Sequence, residues 1–139
     1  MTVYRLTSAR FPRCDGAGAG LYGGRWNSKG RALVYAAATQ SLAALEILTH
    51  TAALAQDYVV IAIEFPADLA IEEVRSGDLA RWELADTREV GDRWLEQSRT
   101  AVLQVPSKVI PGRSELRHQS RPPRFPTFAH RRTGTLSLR

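Results

Sequence analysis

Gly23-Gly24-Arg25-Trp26-Asn27, then Val34-Tyr35-Ala36-Ala37, then Leu42-Ala43-Ala44-Leu45-Glu46 are the three runs on which the fold turns. The first reads as a glycine-rich approach to an arginine, and the second as a short buried strand. The third reads as a helix capped by Thr39 or Ser41 and running to about Thr51. Leu42, Leu45, Ile47 and Leu48 would give that helix a broad apolar surface. Glu46 lies within about 40° of Leu42 on a helical projection, so it borders that surface. A carboxylate there needs a partner, because burying an unpaired charge is costly.

Outward from this region, Val3 to Leu6 reads as a first strand, and Arg10 to Leu21, with Pro12, Gly16, Gly18 and Gly20, as a loop. Tyr58 to Phe65 is β-branched and ends at Pro66, the pattern of a strand. Residues 66–86 are expected to form loops and short turns. Thr87 is a candidate cap for a helix through about Ser98, with Val90, Trp94 and Leu95 facing inward. Ala101 to Val105 is a further strand, interrupted by Pro106-Ser107 and resumed at Lys108 to Ile110. Several strands, few helices and no regular β-α-β alternation predict an α+β fold in a single compact domain.

Composition narrows the function. The 139 residues, 44% hydrophobic and 24% charged, are ordinary for a globular domain. No run approaches the roughly 18 apolar residues of a membrane helix, and the N-terminus lacks a signal-peptide core, so a cytoplasmic protein without membrane contact is expected. One cysteine, Cys14, rules out an intrachain disulfide and a multi-cysteine metal site. The net charge of +5 is concentrated at one end. From Gly112 onward there are seven arginines and one acid, Glu115, which leaves 12 basic and 13 acidic residues before it.

Several residues carry possible chemistry. Arg25 follows two glycines, which let a ligand approach the main chain, and a guanidinium grips phosphate in bidentate fashion. The alternative is a surface arginine after a turn. Tyr35 offers a stacking face with a polar tip, or is a core tyrosine with its hydroxyl satisfied. Glu46 is a catalytic acid or an edge residue, and a partner arginine would favour the former. Ser107 has no G-x-S-x-G elbow around it, so serine hydrolase chemistry is unsupported. The glycine-rich loop lacks both the Walker lysine and the Rossmann spacing.

Taken in order, Val3-Tyr4-Arg5-Leu6, Gly24-Arg25-Trp26-Asn27, Val34-Tyr35-Ala36-Ala37, Ala43-Ala44-Leu45-Glu46 and Val105-Pro106-Ser107 resemble the RES-domain family, the toxin half of bacterial RES–Xre toxin–antitoxin pairs. The resemblance covers residues 1–111. It implies a fold similar to ADP-ribosyltransferases, with small split, twisted sheets and flanking helices. It also implies degradation of NAD+ and neutralisation by an Xre-type helix-turn-helix antitoxin in a hetero-oligomer, with DNA met only through the antitoxin. The family's arginine, glutamate and serine would fall on Arg25, Glu46 and Ser107, and its site tyrosine on Tyr35. Arg5 and Asn27 would join Arg25 and Tyr35 in contacting NAD+. NAD+ would be substrate, with inorganic phosphate a possible co-substrate, and no cofactor or metal is implied. Hydrolysis, phosphorolysis and protein ADP-ribosylation all remain open, as do a catalytically inactive antitoxin-binding protein and a nucleic-acid binder using residues 113–139.

Residues 112–139 depart from the family, which continues as Asn-Tyr-Leu-Leu-Asn-Pro-x-His-Pro-x-Phe. Codons exist for Arg113 to Phe125 that, read one base later, give Glu-Ala-Asn-Tyr-Val-Ile-Asn-Pro-Ala-His-Pro-Asp-Phe. A frameshift near Gly112 would therefore account for an atypical basic tail, expected to be partly disordered, without any nucleic-acid role.

Overall fold

The computed structural model describes residues 1–50, 57–79, 83–107, 114–118 and 129–137, the last two segments as strand backbone. Its strands are β1 (Thr2–Ser8), β2 (Val34–Ala37), β3 (Asp57–Glu64), β4 (Ile71–Glu73), β5 (Val102–Pro106), β6 (Ser114–His118) and β7 (Ala129–Ser137). The helices are α1 (Ala17–Tyr22), α2 (Gln40–His50) and α3 (Leu84–Gln97). The strands form one sheet in the order β4-β5-β6-β2-β1-β3-β7, antiparallel except for the parallel β4–β5 pair. This is the α+β architecture expected from the sequence. Strands β6 and β7 both lie in the arginine-rich segment after residue 112.

Strand β3 is the centre of the apolar build. Tyr58 to Ile63 are buried without alternation, because the strand pairs with β1 on one side and β7 on the other and is covered on both faces. On one face Val3, Val34, Val59, Ile61 and Ile63 pack together. On the other, Leu6, Tyr58 and Val60 meet Leu42 and Ala43 of α2. A third cluster joins Trp26, Leu33, Trp94, Leu103 and Val105, with α3 supplying Trp94.

The sheet has a seam. β1 and β3 share seven register pairs and β2 and β6 four, yet β1 and β2 share one, Tyr4 with Ala37. Past that point β1 continues to Ser8 without laddering to β2, and the two strands part. The Tyr35 carbonyl, which a ladder bond would otherwise satisfy, accepts a hydrogen bond from Arg5 Nη1 at 3.2 Å.

Three local expectations differ from the structure. The Arg10–Leu21 stretch contains a helix, α1, that buries none of its residues. It is held by hydrogen bonds to its main chain: Gly30 N–H donates to the Gly20 carbonyl at 2.8 Å, the Asn27 amide donates to Ala19 O, and Gly23, at φ 73°, turns the chain and donates to the same carbonyl. Within 66–86, β4 pairs with β5, and three residues are too few to show a period. Thr87 does not cap α3, which begins three residues earlier; it is fully buried within the helix. The second half of the interrupted strand, Lys108 to Ile110, lies outside the described residues. Thr39 does cap α2, its hydroxyl accepting the Leu42 N–H at 3.1 Å.

Gly91 of α3 faces the Trp26 backbone so closely that any Cβ would overlap the Trp26 carbonyl oxygen. Gly91→Ala is therefore expected to destabilise the protein by about 3 kcal/mol. Urea unfolding checks this, with Gly77→Ala, which meets nothing within 4 Å, as the control.

Candidate active site

The seam opens a cavity of about 260 Å³. Its walls come from Tyr4 to Ser8 of β1 and Tyr35 to Ala37 of β2, and α2 closes it with Ala43, Glu46 and Ile47. The inward face of α2 is thus Leu42, Ala43, Glu46 and Ile47. Leu45 and Leu48, expected on the apolar face, are each 39% exposed. The helix is rotated so that its acid, rather than those leucines, borders the sheet.

Glu46 has a partner far along the chain. Ser107, buried just beyond β5, donates its hydroxyl proton to Glu46 Oε1 at 3.0 Å. That bond fixes one carboxylate oxygen and leaves the other without a partner among the described residues. Among the described residues, Arg5 supplies the cation of the cleft. Burial pushes its guanidinium pKa down, and the neighbouring Cys14 and Asp15 pull it back up. A guanidinium holds its proton in proteins, so Arg5 stays charged. Its Nε–H is buried and has no partner among the described residues. The same burial raises the Cys14 thiol pKa, with Arg5 opposing and Asp15 adding to the rise, so this thiol is not activated.

Tyr35 joins the cleft to the arginine loop. It lines the cavity, while its hydroxyl accepts the Trp26 N–H at 3.0 Å and donates to Asn27 Oδ1 at 2.5 Å. Gly24 presses on the same hydroxyl, with no room for a Cβ. Asn27, expected to contact NAD+, has no exposed surface. Its amide donates to the carbonyls of Ala19 and Arg31, each at 2.8 Å, so it builds the loop.

The structure therefore brings Arg5, Tyr35, Glu46 and Ser107 together. Arg25 is half-buried on the adjoining loop and is not among the residues that line the cavity. Its guanidinium has no hydrogen-bond or ion-pair partner among the described residues. The residues that hold this loop from behind, Thr87, Arg88 and Asp92, were not singled out from the sequence as site residues. Thr87 reads locally as a helix cap and the other two as ordinary helix positions, and only their contacts reveal them.

The opened sheet, the cleft at its seam and the carboxylate on the covering helix are consistent with the ADP-ribosyltransferase-like α+β fold that the resemblance implied. The RES domain model matches residues 2–130, and the chain belongs to that family. The chain is 38% identical over 119 residues to "Toxin Res" of Photorhabdus laumondii, covering 80% of this chain and 76% of that protein. It is 38% identical over 122 residues to "Prs ADP-ribosylating toxin" of Sphingobium sp., covering 79% and 76%. A chain in the crystal structure of the M. tuberculosis MbcT–MbcA toxin–antitoxin complex shares the fold. It has a TM-score of 0.74 at 21% identity and covers 99% of this chain and 83% of its own length.

Tyr35→Phe should cost about 1–3 kcal/mol of stability, since it strands the Trp26 N–H and the Asn27 carbonyl oxygen together. Chemical denaturation measures this, and a change of a few tenths of a kcal/mol would show that the hydroxyl does not hold the loop.

Proposed function

We propose that this chain is the toxin of a toxin–antitoxin pair and that the seam cavity cleaves the nicotinamide–ribose bond of NAD+. The observation that carries the reading is Glu46, a carboxylate held by Ser107 at the edge of a cleft that also contains Arg5. A cavity of about 260 Å³ takes a ring and its sugar, and the rest of a dinucleotide extends beyond it.

The chemistry suits these groups. As the C1′–N bond breaks, its electron pair goes to nicotinamide, whose pyridinium charge is cancelled. Positive charge then develops on the ribose ring, as in glycoside hydrolysis. The Glu46 oxygen not bonded to Ser107 stabilises that charge and can contact the ribose hydroxyls. Ser107 positions the carboxylate. Tyr35 presents its ring to the nicotinamide, and Arg5 and Arg25 hold pyrophosphate or ribose oxygens. Water attacking C1′ gives ADP-ribose and loses a proton. Inorganic phosphate attacking it gives the 1-phosphate. Neither route draws on a cofactor or metal.

A second reading has its own support in the Sphingobium relative, named an ADP-ribosylating toxin. The same bond breaks, and a protein side chain is the acceptor. For the partner, we infer an Xre-type antitoxin with a helix-turn-helix domain, which would bring the pair to DNA without direct contact from this chain. The frameshift near Gly112 stands as a further proposal: residues 112–139 would carry an altered reading of the family's end. The gene sequence tests it, and codons that cannot yield the shifted motif would remove it.

Incubated with NAD+, the chain should release free nicotinamide, and Glu46→Gln should lower kcat about a hundredfold to a thousandfold. Arg25→Ala should act mainly on KM. Release that appears only when a target protein is added, with label on that protein, would favour transfer over hydrolysis. Background release from every sample would leave the chain as an inactive relative that binds its antitoxin.

A further inference from the structure

The arginine loop is gripped one residue at a time by a single face of α3. Gly24 O accepts from Arg88 Nε at 2.7 Å, and Arg25 O from the Thr87 hydroxyl at 2.6 Å. The Trp26 carbonyl rests on Gly91 with no space for a side chain between them. Ser28 N–H donates to Asp92 Oδ1 at 2.9 Å, and its hydroxyl donates to Oδ2. Thr87, Arg88, Gly91 and Asp92 stand at i, i+1, i+4 and i+5, which is one face of a helix. Tyr35 also holds the loop, its hydroxyl accepting the Trp26 N–H.

We propose that Thr87 and Arg88 are positioning residues for Arg25, with α3 serving as the template that sets where the Arg25 guanidinium stands beside the cleft. The inference rests on the proposed role of Arg25 in holding NAD+. Three observations support it. Thr87 is fully buried in the first turn of α3, and its hydroxyl reaches across to the Arg25 carbonyl although Glu83 O and Leu84 O, acceptors at the start of its own helix, lie 3.3 and 3.2 Å away. Arg88 is half-buried and gives Nε to a main-chain carbonyl rather than to a carboxylate. Both bonds end on the carbonyls that flank the Arg25 Cα, so they fix its peptide planes and hence the direction in which its side chain leaves the chain. Loops that bind ligands are mobile unless tied down, and a misplacement of about 1 Å at a binding group can cost about a hundredfold in rate.

The test uses the full chain and reads NAD+ turnover together with amide hydrogen exchange. Thr87→Val and Arg88→Ala should each lower kcat/KM roughly tenfold, mostly through KM. In an Arg25→Ala background the same changes should cost less than about twofold, because residues acting through one group do not add. The Trp26 amide should exchange at least about tenfold faster in both variants, while β3 amides keep their protection. Thr87→Ser and Arg88→Lys should restore most of the activity. Equal losses with and without Arg25, or an unchanged Trp26 exchange rate, would overturn the positioning role. Should Thr87→Val fail to fold, the half-buried Arg88→Ala carries the comparison. A wild-type chain without turnover whose loop exchange still responds to both variants would refute the NAD+ reading and leave the positioning intact. Turnover with an unresponsive loop would refute the positioning alone.

Discussion

The arrangement of the site follows from a pairing that does not form. β1 and β2 meet at Tyr4 and Ala37 and then separate, so backbone groups that would have laddered face a gap. A sheet leaves such groups unpaired only at a cost comparable to a lost hydrogen bond each. Arg5 meets part of that demand by donating to the Tyr35 carbonyl, and in doing so places a desolvated cation at the floor of the opening. The cleft and its charge thus have one origin. A sheet zipped along its whole length would have neither.

Two long-range contacts then give the opening its chemistry. The Ser107–Glu46 bond crosses 61 residues and ties the end of β5 to α2, turning an edge glutamate into an oriented carboxylate. The Tyr35 hydroxyl couples the cavity wall to the loop bearing Arg25, so a residue that lines the pocket also braces the loop beside it. These contacts make the site a junction of β1, β2, α2 and the end of β5. None of these elements contains it alone.

The outer layer is less committed. Leu45 and Leu48 on α2, and Leu21 and Tyr22 at the end of α1, stay exposed. α1 survives without burying a residue because main-chain bonds and the Asn27 amide hold it against the segment before β2. Its stability is tertiary, and the Ala-Gly-Ala-Gly pattern gives little hint of a helix.

Local sequence determined what depends on neighbours along the chain. The apolar run of β3, the Thr39 cap of α2, the inward Trp94 of α3 and the placing of Glu46 at a helix edge follow from period, propensity and capping chemistry, which act over a few residues. The ordered motifs also carried the family, because they record a fold without describing its contacts. Tertiary structure decided the rest: that β1 and β2 part, that Arg5 rather than Arg25 lines the cavity, that Asn27 turns inward, and that α3 grips the arginine loop. Each is a contact between residues far apart in sequence, such as Thr87 with Arg25 at a separation of 62. No local pattern encodes such a pair, since its energy exists only once the intervening chain has folded to bring the partners within hydrogen-bond reach.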